Sequence, residues 1–141
     1  LQDSWAKMIV VDTNIIAYYC LPGPRSELAD QLWQQDIEWA APILWRSEKR
    51  NILAGYLRRG AITSSEANEV MMVAAEALKG GEHMVADEVV LKLVTTSTCS
   101  AYDCEFAALA QSLGVPLVTE DKQLRTAFPR TSWSLKGFLQ G

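Results

Sequence analysis

The sequence predicts an α/β fold with a central parallel sheet and helices on both of its faces. Three observations carry this. Two short apolar runs, "MIVV" (8–11) and "VPLVT" (115–119), have the length of buried strands. The segments around them have helical periodicity and helix-end signals. Strand and helix signals alternate along the chain, as in units that return to a parallel sheet through a helix. With 141 residues, 49% hydrophobic and 21% charged, the chain suits one globular domain with one core.

The elements follow in order. Residues 1–7, "LQDSWAK", precede Met8 and read as a cloning or upstream remnant without function; residues 8–141 are read as the domain. "MIVV" (8–11) is a strand. A helix follows from Thr13 and stops before "LPGPR" (21–25), whose prolines and glycine mark a turn. Residues 26–36 form a helix with Leu28, Leu32 and Trp33 on one side, and "EWAAP" (38–42) is a short strand. From Pro42 to Arg59 the pattern is helical, with Gly60 as its stop. Thr63 and Glu66 form a capping box for the next helix, whose apolar stripe is Ala67, Val70, Met71, Ala74, Ala77 and Leu78. Gly80-Gly81 ends it, and His83 falls in a loop with no role. Residues 85–94 are helical again. Ser100 opens a helix through Leu113, and Gly114 closes it. After the strand at 115–119 come a short helix over 121–127 and a final strand, "TSWSL" (131–135).

Composition removes several function classes. No apolar run approaches the ~20 residues of a membrane span. Cys20, Cys99 and Cys104 are odd in number and form no CxxC, which reads as a reduced, cytoplasmic protein. His83 is the single histidine, so a His-rich zinc site and His-based nucleophilic catalysis are unattractive. No glycine follows "MIVV" before Gly23, which argues against a dinucleotide-binding turn. A haloacid-dehalogenase-like phosphatase needs a second aspartate two residues after the first, and Asn14 stands there.

Four carboxylates are placed oddly. Asp12 ends the first strand, and Asp121 follows the strand at 115–119. Parallel strands put those two ends on one edge of the sheet. Glu48 lies in the row Leu44, Glu48, Ile52, Tyr56 and interrupts an apolar helix stripe. Asp103 extends the stripe of Phe106, Ala107, Ala110 and Leu113 towards its helix N-terminus. Each acid also has a purely structural reading: Asp12, Asp121 and Asp103 as helix caps, Glu48 as a partner of Arg46, Lys49 or Arg50. Gathered at one end of a sheet, the four would need protons or cations, since like charges ~4 Å apart repel by about 4 kcal/mol at an effective dielectric near 20. Carboxylate and amide oxygens suit Mg²⁺ or Mn²⁺, and such ions support attack of water on a phosphodiester.

The stretches "VVDTNIIAYY", "SEKRNILAGYLRRG" and "SAYDCEFAALAQSLGVPLVTEDKQL" resemble the PIN domain family, and within it the VapC-type ribonucleases of toxin–antitoxin pairs. The resemblance covers nearly the whole chain from Met8. It implies an α/β/α three-layer sandwich and an endoribonuclease that cuts RNA with Mg²⁺ or Mn²⁺. It implies that Asp12, Glu48, Asp103 and Asp121 are the catalytic, metal-holding acids, supported by Asn14 and Thr119. It also implies a homodimer and a small antitoxin as partner. Glu120 departs from the family's usual small residue before the last aspartate and is a candidate fifth acid. The alternative within the family is a catalytically silent module that binds RNA or protein.

The formal net charge of −4 does not oppose an RNA substrate, because setting the four acids aside leaves the rest of the chain neutral. Arg46, Lys49, Arg50, Arg58 and Arg59 concentrate in one segment, and Lys122 and Arg125 follow Asp121. Of these, Arg46, Lys49 and Lys122 are the expected phosphate contacts. Trp33, Trp39, Trp45 and Trp133 read as core or dimer surface.

Overall fold

Strand β1 (Met8–Val11) lies at the middle of a five-stranded sheet with the order β3-β2-β1-β4-β5. Its partners are β2 (Glu38–Pro42), β3 (Glu82–His83), β4 (Leu117–Val118) and β5 (Ser132–Trp133), and every pairing is parallel. This is a computed structural model, and it describes residues 7–141. Of the segment read as a remnant, residues 1–6 lie outside the described part. Lys7 already joins the sheet, its carbonyl accepting the Glu38 N–H at 3.0 Å.

Among the described residues, eight helices complete a three-layer α/β/α sandwich around this sheet. They are α1 (Thr13–Cys20), α2 (Ser26–Trp33), α3 (Trp45–Arg58), α4 (Ser64–Ala77), α5 (Asp87–Thr95), α6 (Ala101–Leu113), α7 (Lys122–Ala127) and α8 (Leu135–Gln140). Register follows from burial. Ile9, Val10 and Val11 are fully enclosed, with Val10 opposite both Ala40 and Leu117. Each such side chain contributes roughly 1.5–3 kcal/mol on leaving water. Helix α6 packs over β1, β2 and β4 through its apolar stripe. Helix α1 contacts α2, α3 and α4.

Local chemistry sets the helix ends. The Thr63–Glu66 capping box is present in both directions, at 3.1 and 2.8 Å. Ser100 caps α6 by accepting the Asp103 N–H at 3.1 Å, and Gly114 ends it at φ 69°, in the left-handed region. Gly81 is required by proximity: a Cβ there would sit 2.1 Å from the Trp39 carbonyl oxygen. Its absence lets the chain run beside β2, where the Ala41 N–H donates to the Gly81 carbonyl.

Three sequence expectations need correction. His83 is not in a loop but in β3, paired with Pro42, and its carbonyl accepts the Ile43 N–H. The final strand spans only Ser132–Trp133, because Ser134 caps a helix, α8, that the sequence reading did not contain. Helix α2 stops at Trp33, and Asp36 turns the chain at φ 57°.

Candidate active site

The parallel topology brings the carboxyl ends of β1 and β4 side by side, since Val11 is opposite Val118. The next residues are therefore neighbours. The Thr119 hydroxyl, fully buried, donates to Asp12 Oδ2. Thr119 Oγ1 in turn accepts the Asp121 N–H at 3.0 Å, and its carbonyl takes a hydrogen bond from Arg125 Nη1 at 2.9 Å. The turn after β4 is thus tied to β1 through one threonine.

The capping readings and the cleft readings of the aspartates both hold. Asp12 Oδ1 accepts the Ile15 N–H at 3.1 Å and starts α1; Asp121 Oδ1 accepts the Leu124 N–H at 3.1 Å and starts α7. Both also line one cleft of about 460 Å³ with Glu48, Asp103 and Asn14. Helix α3 supplies Glu48, whose Oε1 accepts the Thr13 hydroxyl at 2.6 Å. Asp103 enters from the first turn of α6.

The electrostatics follow from burial among like charges. Asp12 is only 6% exposed, and its carboxyl is raised to about 6, chiefly by loss of water. The Thr119 and Ile15 hydrogen bonds oppose that rise, and the Asp121 charge adds to it. Burial also raises Glu48, against the Thr13 hydrogen bond, with Asp103 and Glu105 adding to the rise. Asp103 is raised by burial and then by Asp121. No lysine or arginine among the described residues lines the cleft.

The donor set is all oxygen, the chemistry of a hard divalent ion rather than of zinc or copper. The acids share one cleft without converging on a point: among the described residues, no three His, Cys, Asp or Glu side chains stand as a ready metal-holding group. Asp12 already commits both oxygens to hydrogen bonds and Glu48 commits one. The residues fit such an ion by donor type, and holding it requires the side chains to draw inward.

The other expected residues fall elsewhere. Glu120 is not in the cleft lining; it accepts the Leu135 N–H at 2.7 Å and pairs with Arg25 at 2.9 Å, joining the turn after β4 to α8 and the start of α2. Lys49 is 0% exposed, and its Nζ has no hydrogen-bond partner among the described residues, so it does not reach a phosphate from this position. Arg46 is held by Glu82, Nε at 2.7 Å and Nη2 at 2.8 Å. Lys122 lines a separate groove with Thr96, Ser97 and Thr98. Thr13 and Arg125 were missed as supports. Thr13 adjoins Asp12 in "DTN", and that adjacency was the only available signal.

Comparison with known proteins places this geometry in context. The profile of the PIN domain matches residues 9–128. Ribonuclease VapC3 of Pyrobaculum aerophilum is 33% identical over 126 residues, covering 86% of this chain and 95% of the relative. The crystal structure of PAE2754 from Pyrobaculum aerophilum superposes with a TM-score of 0.76 at 20% identity, over 96% of this chain and 88% of that one. A toxin-antitoxin complex from Klebsiella pneumoniae contains a chain with a TM-score of 0.64 at 16% identity, over 90% and 97%.

Proposed function

The chain belongs to the PIN domain family, and from that premise we propose that it is a divalent-metal-dependent endoribonuclease, the toxin of a toxin–antitoxin pair. The carrying observation is the buried, up-shifted Asp12 in a cleft with three further carboxylates and no facing cation. Such a site favours cations, and an RNA phosphate reaches it only with one. The likeness to a protein named Ribonuclease VapC3 supports RNA as the substrate.

In this reading Asp12, Glu48, Asp103 and Asp121 hold Mg²⁺ or Mn²⁺. Held there, such an ion would lower the pKa of a water and offset charge on the phosphate and the leaving oxygen. Thr119 fixes the Asp12 carboxylate, Thr13 fixes Glu48, and Asn14 orients water or substrate at the mouth. Arg125 holds the turn that carries Asp121. In the same reading the protein works in the cytoplasm as a homodimer and has a small antitoxin as its partner.

The test is cleavage of a mixed RNA pool with Mg²⁺ or Mn²⁺, with and without EDTA, by wild type and Asp103→Asn purified in parallel. Metal-dependent cleavage that disappears in the variant is expected. Equal cleavage by both proteins overturns the acid assignment. RNA binding without cleavage by wild type moves the protein to the silent, RNA-binding alternative.

A further inference from the structure

The cleft is larger than four carboxylates and an ion require, and its lining is not only acidic. At about 460 Å³ it falls in the ~300–1,000 Å³ range of pockets that enclose small organic groups. Leu44 and Ile52 of the α3 segment line it beside the acids, as does Tyr102 at the start of α6. Tyr102 is 63% exposed, a large aromatic side chain left open beside a polar site. Ser47 and Asn51 line the same cleft. They stand four residues apart on α3, so they project from one face about a helical turn apart. Neither side chain bonds another described residue. An amide and a hydroxyl so placed offer both donors and acceptors.

We propose that Tyr102, Ser47 and Asn51 make a nucleobase subsite within the cleft, in which Tyr102 stacks on an unpaired base next to the scissile phosphate and Ser47 and Asn51 contact the base edge. The inference rests on the nuclease reading above and adds to it a preference for single-stranded RNA with a base at that position. Three features favour a base over a purely apolar ligand. An aromatic face, aliphatic walls and an edge-reading amide are the parts that recognise splayed-out bases. The stack also supplies affinity that an uncompensated acidic cleft does not, since phosphate contacts from lysine or arginine are missing from its lining. Finally, Tyr102 and Asp103 line the same cleft, so a base on Tyr102 brings its own phosphate near the acids.

Binding by fluorescence anisotropy tests this, in Mg²⁺ and in the Asp103→Asn background to prevent cleavage. The probes are a short labelled single-stranded RNA and an all-abasic strand of the same length. The base-bearing strand should bind about tenfold tighter, within the range of one base–aromatic stack. Tyr102→Ala should remove most of that preference, and Tyr102→Phe should keep it. Asn51→Ala should alter which base is favoured in cleavage by an otherwise wild-type protein. Equal binding of the two strands, or a preference that survives Tyr102→Ala, overturns the subsite while wild-type cleavage leaves the nuclease reading standing. A wild type that neither binds nor cleaves RNA overturns both.

Discussion

At the amino ends of the strands, Tyr19, Trp33 and Trp39 pack ring against ring, with centroids 5.2–5.3 Å apart. At the carboxyl ends, Asp12, Glu48, Asp103 and Asp121 share a cleft that no lysine or arginine among the described residues lines. The first region gains from burial, because aromatic pairs add roughly 0.5–1.5 kcal/mol beyond their area. The second loses by it, because burial raises the Asp12, Glu48 and Asp103 carboxyls. One sheet therefore carries an end that burial stabilises and an end that burial costs.

Substitutions can pull the two ends apart. The largest effect is expected from Asp12→Asn or Asp103→Asn. Each should lower RNA cleavage by ~10³-fold or more, the scale of losing electrostatic machinery at a reacting centre. Thermal melting without metal should hold or rise, because asparagine also caps helices and carries no charge. A variant that melts much earlier would mean that the acid end is structural after all.

Trp39→Ala should do the reverse. Removing a side chain only 2% exposed should cost roughly 3–5 kcal/mol in urea unfolding. The folded fraction should still cleave RNA at the wild-type rate. Loss of activity without loss of stability would show that the two ends are coupled.

Proton linkage sharpens the comparison next. The ordinary Asp12 carboxyl value is 3.8, and in the folded chain it is about 6. Between those values the folded protein holds a proton that the unfolded chain has released. Stability without metal should therefore fall as pH rises from about 4 to 6, by about 3 kcal/mol, and stay low above that. Glu48 and Asp103, also raised, act in the same direction. Urea unfolding in EDTA across this range measures the fall, and Asp12→Asn should flatten it. Added Mg²⁺ should stabilise more at pH 7.5 than at pH 5, since ion and proton compete for the same oxygens.

The smallest effect concerns the side of α3 turned away from the cleft. Lys49→Met should be neutral or stabilising by ~1–3 kcal/mol, because an enclosed ammonium with no hydrogen-bond partner among the described residues is replaced by an apolar chain of similar size. Burial already lowers the Lys49 pKa. Cleavage within twofold of wild type is expected, and a large loss would return Lys49 to the site.

Periodicity and caps made most of this fold legible. "MIVV" and "EWAAP" mark β1 and β2 because their burial is nearly continuous, and Ser100 and Gly114 bracket α6 within a residue. Strand β3 and helix α8 were not legible, because two-residue pairing at a sheet edge and a six-residue helix leave little periodic signal. For the cleft, helix spacing identified Glu48 and Asp103 as inward acids, and strand ends identified Asp12 and Asp121. Spacing says nothing of what an arginine meets across the fold. Arg46 was read as free for phosphate, while Glu82, brought beside it by β3, holds its guanidinium and the Trp45 Nε1. Lys49 misled for the same reason: its charge suggests solvent, but its place on α3 encloses it.

The Thr119–Asp12 hydrogen bond joins residues 107 positions apart. During synthesis the first acid leaves the ribosome long before the strand that completes its surroundings. At ~5–20 residues per second the interval is roughly 5–20 s. A nascent or truncated chain ending before Leu117 contains Asp12, Glu48 and Asp103 but neither Thr119 nor Asp121. The order of the strands acts as a timer: the cleft is complete only once β4 and Asp121 have been made, so copies that stop before Leu117 carry three of the acids and no assembled cleft.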